Sequence, residues 1–118
     1  MNPYNIPEIS VQQLAQKIKA AENFSIVDVR ETWETELAGI QDERVALVPM
    51  SKVSEDGKNA FPEALRDPQA EIVVMCHHGV RSAKVAAWMQ QQGWQNVVSL
   101  RGGIAEYAEE IDPSVGMY

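Results

Sequence analysis

A chain of 118 residues with 45% hydrophobic side chains carries enough apolar material for one core, so a single domain over residues 1–118 is expected. A formal net charge of -7, with no basic stripe interleaved with aromatic residues, disfavours a surface that tracks nucleic-acid phosphates. The one cysteine excludes an intrachain disulfide, a Cys-x-x-Cys redox pair and a cysteine-rich zinc site, so chemistry at that thiol has to be completed by another molecule.

The segment Met1 to Glu8 has neither a basic n-region nor an apolar h-region, and no apolar run approaches the roughly 20 residues that span a bilayer. A cytoplasmic protein that does not enter the membrane is the expectation. Ser10 followed by Gln13 reads as a capping box, and Val11, Leu14, Ala15 and Ile18 recur at helical spacing, which predicts a helix from Val11 to about Ala21. Phe24 to Val29 suits a buried strand, and Glu31 to Leu37 a short helix stopped near Gly39. Val45 to Val48 is the next strand, ended by Pro49. Ser51 to Asn59 is polar and contains the turn signal Asp56-Gly57, ahead of a modest helix around Phe61 to Arg66.

Ile72 to Met75 reads as a strand, and Ser82 to Gln92 as a helix whose apolar face carries Val85, Trp88 and Met89, with Gly93 at its C-terminal cap. Val97 to Leu100 is a further strand, after which Gly102-Gly103 turns the chain into a helix from Ile104 to about Glu110. This alternation predicts the α/β class with a mostly parallel sheet. In such sheets the loops after the strand carboxyl ends share one edge, which places Arg30, Met50 to Lys52, Cys76 to Arg81 and Arg101 to Gly103 at a common mouth. Trp33, Trp88, Trp94 and Tyr107 are read as core or rim packing.

Cys76 stands directly after the apolar run Ile72-Val73-Val74-Met75 and directly before a helix. A strand that delivers a thiol to a helix N-terminus sets it among unpaired backbone N–H groups and the positive end of the helix dipole, an environment that favours a thiolate nucleophile. The overall acidic charge opposes an anionic substrate, so a local cation has to capture one, and Arg30, Arg81 and Arg101 are the candidates.

The loop Cys76-His77-His78-Gly79-Val80-Arg81-Ser82 has the form Cys-x-x-Gly-x-Arg-Ser, with four residues between cysteine and arginine. It resembles the active-site loop of the rhodanese family of sulfurtransferases. Asp28-Val29-Arg30-Glu31 is similar to that family's segment after its second strand, and Leu100-Arg101-Gly102-Gly103-Ile104 to its double-glycine turn. Order and spacing agree over a core of about residues 8–110, with short tails on either side.

The resemblance implies a rhodanese-like three-layer α/β sandwich, with helices flanking a mostly parallel five-stranded sheet. It also implies transfer of a sulfane sulfur through a Cys76 persulfide, with no cofactor and no metal. A small anionic donor such as thiosulfate and a thiol, cyanide or protein acceptor are then the partners; no nucleic acid or membrane is among them. The chain departs from the family in having Gly39-Ile40-Gln41-Asp42-Glu43-Arg44-Val45 ahead of the third strand, and Tyr107 where tryptophan is frequent.

Individual side chains admit more than one reading. A ring of loop amides can stabilise the persulfide anion, and Gly79, lacking a Cβ, lets that ring close. The planar guanidinium of Arg81 could clamp the oxygens of a sulfonate-like donor or pair with an acidic neighbour. Asp28 and Arg30 read chiefly as loop supports, with direct substrate contact the other reading for Arg30 and for Arg101; Gly102 and Gly103 read as structural. His77 and His78 could tune the thiolate or stand in solvent. Adjacent side chains diverge, and two histidines with one cysteine fall short of a good zinc site. Met50 and Ser51 could line the mouth or pack the strand end.

Two rivals accompany the sulfurtransferase reading. One is a non-enzymatic rhodanese-like module that relays sulfur or binds a partner. The other is a cysteine phosphatase, whose loop places five residues rather than four between cysteine and arginine to fit a tetrahedral phosphate. The physiological donor, the acceptor and the oligomeric state are not encoded in any motif.

Overall fold

Alternation of short β-branched segments with amphipathic ones gives, in the computed structural model, strands that lie side by side and point the same way. The structure describes residues 2–118. Among them the sheet has five strands, β1 (Glu8–Ile9), β2 (Ser25–Asp28), β3 (Val45–Leu47), β4 (Glu71–Met75) and β5 (Asn96–Leu100), in the order β1-β5-β4-β2-β3. Every pairing is parallel. Parallel neighbours need crossovers, which the helices supply: α1 (Val11–Lys19), α2 (Thr32–Thr35), α3 (Met50–Asp56), α4 (Val80–Gln92) and α5 (Gly103–Glu110).

Side chains alternate along a strand, so the central strands β2, β4 and β5 feed two cores. Ile72, Val74 and Cys76 share the face that packs under Val53 of α3 and Val85, Ala86 and Met89 of α4, where Phe61 and Trp94 complete the layer. Val73 and Met75 face the other way, against Val11 and Leu14 of α1 and Ile104, Tyr107 and Ala108 of α5. The result is three layers, α3 and α4, sheet, then α1 and α5, as expected. Register brings the carboxyl ends of β2 and β4 level, Asp28 opposite Met75, so Arg30 and Cys76 emerge side by side.

The capping box at Ser10 is present, with Gln13 N donating to Ser10 Oγ at 3.1 Å and Ser10 N to Gln13 Oε1 at 2.7 Å. Gly93 ends α4 at φ 113°, as its position predicted. Three local expectations need correction. The polar stretch after Pro49 is helical as α3 from Met50 to Asp56, because Val53 anchors it to the core, and the Asp56-Gly57 turn only ends it. The helix around Phe61 to Arg66 is a single 3₁₀ turn over Glu63–Arg66. Trp33 is 62% exposed on α2 rather than packed. The edge strand β1, two residues long, had no periodic signal to announce it.

Candidate active site

The alternation that buries Ile72 and Val74 also sets Cys76 on the α4 side, where the first turn of that helix begins. Cys76 is 1% exposed. Its Sγ accepts hydrogen bonds from Gly79 N at 3.0 Å and Ser82 N at 3.3 Å and lies 3.4 Å from Ser82 Oγ, which is 2.7 Å from Ser99 Oγ of β5. Both serines are fully buried. The sulfur therefore sits in a curl of backbone donors at the positive end of a 13-residue helix, a geometry suited to negative charge on sulfur.

Glycines make the curl possible. Gly79 is the N-cap of α4 at φ 99°, and a Cβ there would come 3.1 Å from Gly102 N and 3.3 Å from Leu100 O. Gly103 begins α5 at φ 62°, where a Cβ would lie 2.6 Å from both Cys76 O and His77 C. That closeness lets the start of α5 hold the loop, since Ile104 N donates to Cys76 O at 2.9 Å and Ala105 N to His77 O at 3.0 Å.

Charge pairs close the other side. Arg81 meets Glu34 of α2 in a two-pronged ion pair, Nη1 to Oε2 at 2.7 Å and Nη2 to Oε1 at 2.8 Å. Hydrogen bonds from Arg81 outweigh burial and hold the Glu34 carboxyl well below its usual range, at about 2. The pairing with Glu34 likewise raises Arg81, and the nearby Cys76 sulfur adds to the rise. Tyr118 Oη donates to Glu34 Oε1 at 3.0 Å and accepts from Arg30 Nη1 at 3.3 Å.

Arg30 is fully buried and grips Asp28, with Nη2 to Oδ2 at 2.7 Å and Nε to Oδ1 at 3.0 Å, and it reaches Glu34 O at 3.3 Å. Burial pulls the Arg30 pKa down, but the Asp28 carboxylate overrides it and the net shift is upward. Asp28, Arg30, Glu34, Arg81 and Tyr118 thus form one continuous network beside Cys76.

The remaining candidates divide between the loop's two flanks. His77 is half-buried and stacks on Tyr118, centroids 3.8 Å apart and planes 6° apart, and the ring of exposed His78 lies 3.9 Å from it. Burial, then the neighbouring His78, lowers the His77 pKa. Among the described residues no group of three or more His, Cys, Asp or Glu side chains is arranged to hold a metal ion. Exposed Arg101 opens onto a groove of about 320 Å³ with Tyr4, His78, Gly79 and exposed Val80, and Cys76 does not line it.

Met50 and Ser51 take separate places: Met50 packs on the α3 and α4 core, while Ser51 Oγ donates to Glu31 Oε1 at 2.6 Å. Lys52 is exposed. Arg30, the Cys76 loop, Arg101 and the glycine pair lie at this sheet edge, and Met50 and Ser51 adjoin it, Met50 N donating to Val29 O at 3.0 Å and Ser51 N to Glu31 Oε2 at 3.2 Å. Three neighbours escaped the sequence reading. Glu34 had a weak signal, as the carboxylate three residues after Glu31 that accepts from Glu31 N at 2.8 Å. Ser99 alternates into the α3 and α4 layer like an apolar residue, and Tyr118 carries no motif.

Fold and site together define a parallel α/β domain that sets its one cysteine in a loop of backbone donors at a helix N-terminus. The family model for the rhodanese-like domain matches residues 10–110, and the chain belongs to this family. It is 30% identical over 115 residues to a sulfurtransferase of Allochromatium vinosum, spanning 93% of this chain and 95% of that protein. It is 35% identical over 111 residues to the putative sulfur carrier protein YrkF of Bacillus subtilis, covering 94% of this chain and 56% of that one. The crystal structure of SSP1007 from Staphylococcus saprophyticus superposes with a TM-score of 0.71 at 31% identity, over 90% of this chain and 97% of the other. Some relatives are much longer, and the chain spans 38% of a rhodanese-like/PpiC domain-containing protein of Arabidopsis thaliana. No helix among the described residues is long and apolar enough to cross a membrane.

Proposed function

We propose that the protein is a sulfurtransferase that takes a sulfane sulfur onto Cys76, holds it as a persulfide and passes it to a thiophilic acceptor. The observation that carries this reading is the pair of amides, Gly79 N and Ser82 N, already directed at Sγ. A persulfide places its charge one sulfur further out, toward first-turn N–H groups that have no intrahelical partner. Relatives named as a sulfurtransferase and a putative sulfur carrier support it at the level of the class.

In the first step Sγ attacks the outer sulfur of the donor and the donor's S–S bond breaks. Its electron pair leaves on sulfite when the donor is thiosulfate, or on a thiolate when the donor is a persulfide. In the second step a thiolate, cyanide or protein acceptor attacks the terminal sulfur and regenerates Cys76. No outside oxidant or reductant enters either step. The loop supplies backbone donors to the sulfur, and the buried Ser82 and Ser99 hydroxyls extend them.

Intact mass measured after incubation with thiosulfate is expected to rise by one sulfur, which cyanide removes as thiocyanate. Cys76→Ser is expected to abolish the change. A wild-type mass that stays constant under thiosulfate and under persulfide donors would overturn the proposal.

A further inference from the structure

A free arginine at the rim of the loop would favour donors carrying a sulfonate, whose oxygens a guanidinium holds in two prongs. Arg81 has the right place and the wrong company. Both Nη1 and Nη2 are spent on the Glu34 carboxylate, which is 4% exposed and is braced by Tyr118 Oη and Glu31 N. The second arginine on this side, Arg30, is fully buried against Asp28. Arg101 opens onto a groove that Cys76 does not line. Each cation on the Glu34 side of the sulfur is therefore matched by a carboxylate, within a chain of net charge -7.

From this geometry, and resting on the sulfurtransferase reading above, we infer that Glu34 is a positioning residue that sets donor specificity. By occupying Arg81 it disfavours the dianion thiosulfate and leaves the loop to sulfane donors whose leaving group carries no more than one negative charge, of which a thiol persulfide is the plain case. The loop amides stabilise charge on the transferred sulfur, which every donor shares. What a sulfonate adds is charge on the leaving group, and there the site offers it a carboxylate as well as an arginine. With a persulfide R–S–SH, the Cys76 thiolate Sγ bonds to the terminal sulfur, R–S⁻ departs with the pair from the broken S–S bond, and the transferred sulfur releases its proton to solvent to give the persulfide anion that the loop amides hold. Atoms, charge and electrons balance with nothing further required.

Thiosulfate and methanethiosulfonate make a matched pair of probes, because a methyl group replaces one oxyanion and removes one charge while the sulfane sulfur is retained. Glu34→Gln keeps the shape of the side chain and releases Arg81 from its counter-charge. One unit charge several ångströms away, at an effective dielectric near 20, changes the binding of an ion by about tenfold or more. The ratio of kcat/KM for thiosulfate to that for methanethiosulfonate is therefore expected to rise about tenfold in E34Q. The rise should come through KM for thiosulfate, with kcat within about threefold. A purely structural role for Glu34 would lower both donors together and leave the ratio fixed, and a fixed ratio overturns the inference.

Should E34Q fold poorly, E34Q/R81Q removes both charges at once, and its ratio is expected to stay within about threefold of wild type. A selective loss of thiosulfate loading beyond tenfold in that double variant would mean that Arg81 serves the sulfonate in the wild type, which overturns the inference. Cysteine persulfide and persulfidated serum albumin represent the small and protein-borne sources of the favoured donor. Faster loading of wild-type Cys76 from either than from thiosulfate supports the inference, and the faster arm names the source. Slower loading from both overturns it. If no donor adds sulfur to Cys76, the sulfurtransferase reading itself fails, a result distinct from loading with an unchanged ratio.

Discussion

The loop around Cys76 is held from two sides by different physics. Toward α5 the restraint is backbone on backbone: Ile104 N and Ala105 N grip the carbonyls of Cys76 and His77, an approach close enough that Gly103 has no room for a Cβ. Toward α2 the restraint is charge on charge, with Arg81 on Glu34, Arg30 on Asp28 and Tyr118 bridging the two arginine pairs. The backbone side fixes where the sulfur sits and tolerates almost no change of shape. The charged side fixes the field around the sulfur, and it can be altered one charge at a time.

The sharpest way to break the backbone side is Gly103→Ala. The new Cβ would meet backbone atoms at 2.6 Å, which no flexible side chain can relieve, at a residue already at φ 62°. A loss above about 3 kcal/mol in urea unfolding is expected, together with loss of sulfur loading. Gly93→Ala serves as the control. It has φ 113° but nothing within 4 Å, so strain alone should cost about 1–2 kcal/mol and loading should persist. Equal losses at the two positions would mean that the close approach at Gly103 contributes nothing.

The charged side should show itself in acid. Glu34 is held at about 2 against an ordinary 4.5, so the unfolded chain binds the proton more readily than the folded one. Its contribution is complete above the unfolded pKa and fades as pH falls from about 5 toward 2. The shift corresponds to about 2–3 kcal/mol once the one-third exposure of Arg81 is allowed for. Unfolding free energy measured across this range should fall in the wild type and vary less in E34Q. Identical slopes for the two proteins would remove Glu34 from the acid response.

What the sequence made legible follows the same division. Gly79, Gly102 and Gly103 announce a backbone restraint because only a special φ or a close approach calls for them. Cys76 at a strand-to-helix junction announces a thiol set among backbone donors. The charged side was opaque because its partners are remote along the chain: Arg81 and Glu34 are 47 residues apart, and Tyr118 and Glu34 are 84. Local patterning says nothing of such pairs, which is why Arg81 stayed open between donor clamp and ion pair. α3 was missed for a related reason, since Val53 is its one buried residue and gives no periodic stripe. β1 owes its form to Glu8 and Ile9 pairing with Ser99 and Leu100, a contact only the fold provides.

The smallest effect is expected where the two sides meet at the sulfur. Ser82 Oγ lies 3.4 Å from Sγ and 2.7 Å from Ser99 Oγ, and either hydroxyl of the serine pair can donate to the other. If Ser99 donates to Ser82, the Ser82 O–H is free to turn to a negative sulfur, adding a third donor to Gly79 N and Ser82 N. Ser99→Ala removes that orientation without removing Ser82, and alanine leaves little void in the position. A stability loss of about 1 kcal/mol is expected, as for one hydrogen bond. Single-turnover loading of Cys76, followed by intact mass, should slow several-fold with KM for the donor unchanged, because the hydroxyl acts on the sulfur and not on the leaving group. A loading rate equal to wild type would show that Ser82 needs no partner on β5, leaving the two amides as the donors that matter at Sγ.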